Sequence, residues 1–307
     1  MKLRVILASP RGFCAGVVRA IETVRKSIAT HGPPIYVLHE IVHNRHVLEE
    51  LEELGAVFVK KLTDIPAGGL CIFSAHGVST AVEKRAAALG LNTVDATCPL
   101  VSSVHRMVER CHSQGYDVVI IGHHKHPEVE GTAGRAAGRV HVVANEEEAA
   151  SLQVADDKKV AYVTQTTLSQ DDICGIKQVL KRRFPAIAGK KSNICFATQN
   201  RQDAVRHLAA ECDLVFVVGS KNSSNSNRLR EAAARKGCAA YLIDDYRDID
   251  LSCLNNRHTI GITAGASAPE RLVAGVLSHL HQYYDIAVEE MAGKKEQVFF
   301  RPAELKL

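Results

Sequence analysis

The stretch NTVDATCPLVSSVHRMVER, residues 92–110, joins a short β-branched run to a helical pattern through Thr97, Cys98 and Pro99. Proline suits the first position of a helix, because the N–H it lacks would have no intrahelical partner there. Leu100, Val101, Val104, Met107 and Val108 then recur at helical spacing. Cys98 therefore stands where unpaired N–H groups and the positive end of a helix dipole favour a thiolate. That placement makes it a candidate nucleophile, redox thiol or metal ligand. The alternative is a small apolar side chain that is merely buried.

Outward from this stretch, the strand-then-helix step repeats. The runs KLRVILA, PIYVLH, AVFVK, LCIFSAH, NTVDA, DVVIIGH, VHVVA, VAYVTQ, SNICFAT, DLVFVVGS, AAYLIDD and TIGITAG read as strands separated by amphipathic helical segments. Such alternation predicts an α/β fold with parallel sheets, and runs apolar throughout suit strands covered on both faces. Many of them end in small or polar clusters, among them ASPRGFCAG, SAHGVS, ATCPL, GHHKHPEVEGT, TQTTLSQDD, ATQNRQDA, GSKNSSNSN and TAGASAPE. Ligands bind beyond the carboxyl ends of strands in open α/β sheets, so chemistry is expected in these clusters. Cys14, Cys98 and Cys195 lie at three such points, at intervals of 84 and 97 residues. The spacing fits three similar units of roughly 90 residues, each offering one thiol to a shared centre. The final EQVFFRPAELKL reads as a last strand with a tail that returns to an earlier sheet.

Bulk properties narrow the function classes. The chain has 307 residues, 46% of them apolar, and a formal net charge of +4, with a pI near 8.5. No dense Lys/Arg stripe with interleaved aromatics argues for nucleic acid. No apolar run reaches membrane-spanning length, and MKLRVILASPRG is too short in its apolar part for a secretory signal, so no membrane partner and a cytoplasmic location are expected. Nine cysteines are scattered singly, without a CxxC pair. In a reducing compartment each is left to metal binding, catalysis or burial, and any metal site has to gather distant ligands. Three thiolates are one short of a closed zinc site or a fully ligated iron–sulfur cluster, so a group held by Cys14, Cys98 and Cys195 would keep an open coordination position. Cys71, Cys111, Cys174, Cys212, Cys238 and Cys253 fall in strand, helix or surface patterns and are read as structural.

Three of fifteen histidines, His43, His76 and His126, sit in loops beside small or polar residues, where imidazoles can donate to an anion. GSKNSSNSNRLREAAA and GASAPERLVAGVL each lead from a strand into a helix, and in the second Ser267 and Glu270 are spaced as a capping box. Loops of this kind bind phosphates through backbone N–H groups and side chains, although simple capping would also account for them. Neither GxxxxGK[ST] nor GxGxxG occurs, so in a redox enzyme the electrons would arrive from another protein. Glu128 is the acidic residue nearest these loops, and Thr166 and Thr167 offer hydroxyls that could relay its proton.

Together RGFCAGV, EIVHNRHV, FSAHGVS, DATCPLV, HPEVEGT, TQTTLS, VVGSKNSSNSNRL and TAGASAP resemble the motifs of the 4-hydroxy-3-methylbut-2-enyl diphosphate reductase family, in order from residue 11 to residue 269. The resemblance implies a trefoil of three pseudo-symmetric α/β units around a central iron–sulfur cluster. The units are expected at 1–97, joined by a C-terminal strand and tail at 284–307, and at 98–192 and 193–283. The resemblance further implies a [4Fe-4S] cluster held by Cys14, Cys98 and Cys195 with one iron left for substrate. His43, His76, Ser223, Ser224, Asn225 and Ser267 would hold the diphosphate, and His126 would line the same pocket. Glu128 would deliver protons, and Thr166, with Thr167 beside it, would hold the substrate hydroxyl. The implied reaction is the two-electron reductive dehydroxylation of an allylic diphosphate to isopentenyl and dimethylallyl diphosphates, with ferredoxin or flavodoxin as donor. On the residues alone, a non-catalytic iron–sulfur sensor, an iron–sulfur hydro-lyase and a zinc hydrolase of phosphate esters stay open.

Overall fold

In the computed structural model, which describes residues 2–190 and 192–305, twelve strands alternate with ten α-helices among the described residues. The strands are β1 (Lys2–Leu7), β2 (Ile35–Leu38), β3 (Ala56–Val59), β4 (Leu70–Phe73), β5 (Asn92–Asp95), β6 (Asp117–Ile121), β7 (Val140–Val143), β8 (Val160–Thr164), β9 (Leu214–Val218), β10 (Ala239–Ile243), β11 (Thr259–Ala264) and β12 (Asp285–Glu290). The helices are α1 (Ala15–His31), α2 (Arg45–Glu53), α3 (Thr80–Ala88), α4 (Pro99–Ser113), α5 (Pro127–Ala133), α6 (Glu146–Ser151), α7 (Gln170–Arg183), α8 (Phe196–Glu211), α9 (Ser224–Ala234) and α10 (Glu270–His281). No helix among the described residues is long and apolar enough to cross a membrane. The chain is α/β with three sheets, and every strand pairing in them is parallel.

Packing divides the chain into two units. The first comprises Met1–Val17, His43–Glu49 and Phe196–Phe299, and holds the five-stranded sheet in the order β10-β9-β11-β1-β12. Alternate side chains of β9 face opposite layers, as a pleated strand requires. Leu214, Phe216 and Val218 share a core with Val273, Val276 and Leu280 of α10, whereas Val215 and Val217 pack with Ala204, Val205 and Leu208 of α8 and Leu229 of α9. The second unit comprises Val18–Val42, Glu50–Cys195 and Phe300–Leu307, with a sheet ordered β3-β2-β4-β5 and another ordered β7-β6-β8. In the latter, Val119 and Ile121 face Ile173, Ile176 and Leu180 of α7, while Val118 and Ile120 face Val104 and Val108 of α4 and Val129 of α5. Each fully buried side chain of this size stabilises by about 1.5–3 kcal/mol relative to exposure.

Three expectations from the sequence are corrected. SNICFAT is not a strand: Cys195 precedes α8, whose Ala197, Ala204, Val205 and Leu208 are buried at helical spacing. Its first residues imitate a strand through side chains, because Asn193 Oδ1 accepts from the Thr164 N–H at 3.0 Å and the Asn193 N–H donates to Thr164 Oγ1 at 2.8 Å. The last strand is DIAVEE rather than EQVFF, which carries no strand; residues 306 and 307 of the tail lie outside the described residues. Finally, β1 joins β11 and β12 and not the β2–β5 sheet of the segment 1–97. Pattern marks a strand as buried on both faces but carries no information about which distant strand lies beside it.

Candidate active site

In the second unit, the loops after β4, β5, β6 and β8 carry His76, Cys98, His126, Thr166 and Thr167 at the carboxyl ends of parallel strands. Glu128, in the first turn of α5, is 3% exposed. Its carboxylate accepts the Thr166 backbone N–H at 2.6 Å and the Thr166 hydroxyl at 2.8 Å. His126 caps α5, its Nδ1 accepting the Glu128 N–H at 3.1 Å, so a proton on the neutral ring resides on Nε2. The His76 and His126 rings meet edge to face with centroids 5.8 Å apart. Glycine makes that approach possible: a Cβ on Gly131 of α5 would stand 2.8 Å from the Gly77 carbonyl oxygen. The Thr167 hydroxyl accepts from Gln165 Nε2 at 2.8 Å, and Gln165 Oε1 accepts the His123 N–H at 3.0 Å.

The first unit gathers His43, Ser223, Ser224, Asn225 and Ser267. Ser267 does not form the expected capping box; its hydroxyl donates to the His43 carbonyl at 2.9 Å, and Pro269 is the residue at the N-cap of α10. Ser223 caps α9 by accepting the Ser226 N–H at 3.3 Å, and takes the Ser226 hydroxyl proton at 3.0 Å. Ser224 is half-buried at the first position of that helix. Asn225 is 5% exposed, yet neither its amide oxygen nor its amide nitrogen has a hydrogen-bond partner among the described residues. A buried amide left open costs about 1–3 kcal/mol, so its position in the first turn of α9, just beyond β9, points to a partner from outside the chain.

The three candidate cysteines share one backbone device. The Cys14 N–H donates to the Ala266 carbonyl at 3.1 Å, Cys98 to Ala75 at 3.0 Å and Cys195 to Thr166 at 3.1 Å. Each acceptor is itself a candidate substrate residue or stands next to one: Ser267, His76 and Thr166. The turn before Cys98 is further fixed by the Thr97 N–H on Asp95 Oδ1 at 2.9 Å and by Arg19, which donates to the Thr97 carbonyl at 2.9 Å. None of the three cysteines is in a disulfide, and all three are half-buried. Burial pushes the thiols of Cys71 and Cys212 up to about 12, which disfavours the thiolate at those two positions. Three accessible soft donors on pinned backbones fit a thiolate-bound iron–sulfur group by donor chemistry. Among the described residues, no group of three or more His, Cys, Asp or Glu side chains is set as a metal site.

Comparison with known proteins decides the family: residues 5–281 match the model of the LytB protein family. The chain belongs to the LytB family. Among its relatives, the 4-hydroxy-3-methylbut-2-enyl diphosphate reductase of Desulfotalea psychrophila is 62% identical over 304 residues, covering 99% of this chain and 97% of the relative. The reductase of the same name from Bordetella pertussis is 58% identical over 297 residues, covering 96% and 91%. The solved E-1-hydroxy-2-methyl-but-2-enyl-4-diphosphate reductase of Plasmodium falciparum superposes with a TM-score of 0.92 at 39% identity, over 98% of this chain and 96% of that one. Sequence reasoning misses Gln165, Asn193 and Ser226, which tie these loops together. Gln165 lies inside the TQTTLS motif and Ser226 inside GSKNSSNSN, so both are within reach of such reasoning; Asn193 becomes meaningful only through its bonding.

Proposed function

We propose that the chain is an iron–sulfur reductase that removes the hydroxyl of 4-hydroxy-3-methylbut-2-enyl diphosphate to give isopentenyl and dimethylallyl diphosphates, the terminal step of the non-mevalonate pathway. The observation that carries the reading is full-length identity of 62% to a reductase of that name. The recurrent hanging of a cysteine amide beside a candidate substrate residue supports the assignment of residues. Balanced, the reaction takes up two electrons and two protons: a C–O bond breaks, the oxygen leaves as water, and a carbon gains hydrogen. A [4Fe-4S] cluster held by Cys14, Cys98 and Cys195, with one iron free of protein ligands, would supply the electrons singly and a Lewis acid for the hydroxyl.

The residues account for binding and proton delivery. Asn225 offers its open amide to the diphosphate, joined by His43, Ser223, Ser224 and Ser267, and by the N–H groups that open α9. His76 and His126 add imidazole donors. Binding energy from the diphosphate fixes the distant alcohol, so ligand contacts made far from the breaking bond serve its orientation. Thr166 donates to a Glu128 carboxylate and leaves its oxygen lone pairs for the substrate hydroxyl. When Glu128 is protonated the chain of donors reverses: Glu128 donates to Thr166, and the Thr166 hydroxyl donates to the departing oxygen. Burial of Glu128 keeps that proton from ready exchange with bulk water. Ferredoxin or flavodoxin in the cytoplasm supplies the electrons.

Anaerobically purified protein, reduced by a viologen and given the allylic diphosphate, should release both isomeric products in proportion to reductant consumed. Absence of product, or turnover without reductant as in a hydro-lyase, would refute the activity. Mössbauer spectra with and without substrate should show one distinct iron that changes on binding.

A further inference from the structure

We infer that residues 290–296, running on from the last residue of β12, form a strap that holds the loop of Cys14 in its ligating position, with Arg201 as the positioning residue through which it acts. The inference rests on the assignment of Cys14 as a cluster ligand. It concerns a segment beyond residues 5–281, which the family model matches.

Arg201 is 1% exposed, and its guanidinium is spent almost wholly on two segments. Toward the loop, Nε donates to the Gly12 carbonyl at 3.0 Å and Nη2 to the Phe13 carbonyl at 3.2 Å. Toward the strap, Nη1 donates to Glu296 Oε1 at 3.1 Å and Oε2 at 3.0 Å, and also to the Ala197 carbonyl of its own helix at 2.9 Å. Asn200 Nδ2 adds a bond to Glu296 Oε1 at 3.0 Å. The loop's N–H groups are held from the other side, Gly12 on the Ala264 carbonyl and Cys14 on that of Ala266. Carbonyls and amides of the loop leading up to Cys14 are thus fixed by different elements, and the carbonyl half depends on an arginine whose only carboxylate partner among the described residues comes from the strap.

Three further contacts lay the strap along the same loop. The Met291 N–H donates to the Leu7 carbonyl at 3.0 Å, and Arg11 Nη1 donates to Glu290 at 3.0 Å. Gly293 lies so close to Ser9 that a Cβ there would fall 1.9 Å from the Ser9 carbonyl oxygen. A buried guanidinium without its carboxylate would be strongly disfavoured, so Glu296 cannot leave without moving Arg201, and Arg201 cannot move without freeing Gly12 and Phe13.

The test uses E296Q, which removes the charge with little change of shape, and G293A, which lifts the strap by sterics and leaves the ion pair intact. E304Q serves as control, because Glu304 makes an exposed ion pair with Lys26, both residues lying within the second unit and outside the strap. On anaerobic full-length protein, iron release to a ferrous chelator should accelerate about tenfold or more in E296Q and G293A, the effect of losing an outer-shell support of a metal ligand. In metal-free protein, iodoacetamide should label Cys14 correspondingly faster, while the exposed Cys174 labels at an unchanged rate. Iron release and Cys14 labelling equal to the parent in both variants would overturn the inference, as would equal acceleration in E304Q. A parent protein without iron and acid-labile sulfide would instead refute the iron–sulfur reading, and Cys14 labelling would still decide whether the strap holds its loop.

Discussion

The strand-end loops of the two units are built on opposite plans. In the second unit the polar groups close on one another: Thr166 donates twice to Glu128, Glu128 donates its backbone N–H to His126, and Gln165 joins Thr167 to His123. In the first unit, Asn225 lies as deeply buried, and its side-chain amide has no hydrogen-bond partner among the described residues. A closed network holds groups in fixed mutual geometry, which suits a proton that must travel between defined atoms. An open buried amide raises the energy of the chain until a partner from outside it is bound. On the proposed function, the closed network serves proton transfer and the open amide serves anion recognition, two tasks that a list of polar residues would treat as one site.

The largest effect should come from breaking the closed network. Glu128→Gln preserves the shape and can still accept from Thr166, but carries no transferable proton. Turnover should fall about 10²–10⁴-fold with substrate affinity nearly unchanged. Steady-state kcat together with calorimetric substrate binding checks this, and undiminished kcat would remove Glu128 from the proton path.

Asn225→Ala probes the open side, where affinity and stability should move apart. Loss of a hydrogen bond to a charged ligand is worth about 1.5–3 kcal/mol, so substrate affinity should weaken by about tenfold to a hundredfold with a smaller change in kcat. Removing an unpartnered buried amide should leave the melting temperature of the ligand-free chain level or raise it. If the melting temperature falls and affinity holds, Asn225 is structural and the contrast between the units disappears.

The fold is legible wherever local pattern suffices. Runs such as DVVIIGH and DLVFVVGS are apolar throughout and become the central strands β6 and β9, covered on both faces. Pairing across long separations is not legible, which is why chain order groups β1 with β2–β5 while it lies between β11 and β12. SNICFAT misleads because its β-branched and aromatic letters outweigh the helical spacing that begins at Phe196. At the site, the motifs locate the loops, but the burial of Arg201 and its bonds to Gly12, Phe13 and Glu296 have no sequence signature. An arginine in the middle of a helix ordinarily faces water.

A last test asks whether the second unit is closed to charge, at a histidine whose Nε2 has no hydrogen-bond partner among the described residues. His105 of α4 is 6% exposed and lies under Gly77, where a Cβ would meet its ring at 2.6 Å. Burial first, and then the nearby Arg135, push its imidazolium down to about 4 against the opposing pull of Asp95 and Glu109, with Arg106 adding least. A histidine held neutral in the folded chain binds a proton more readily once unfolded. Its contribution to stability is therefore full above about pH 6.5 and declines as the pH falls toward the folded value. The expected loss is about 2 kcal/mol on going from pH 8 to pH 5, since each tenfold difference in proton affinity between the folded and unfolded chain is worth about 1.4 kcal/mol. His105→Gln cannot titrate, so urea unfolding of this variant at the two pH values should show a difference smaller by about that amount. If parent and variant lose stability equally on acidification, His105 accepts its proton in the folded state, and the packing under His76 is looser than the glycine contact implies.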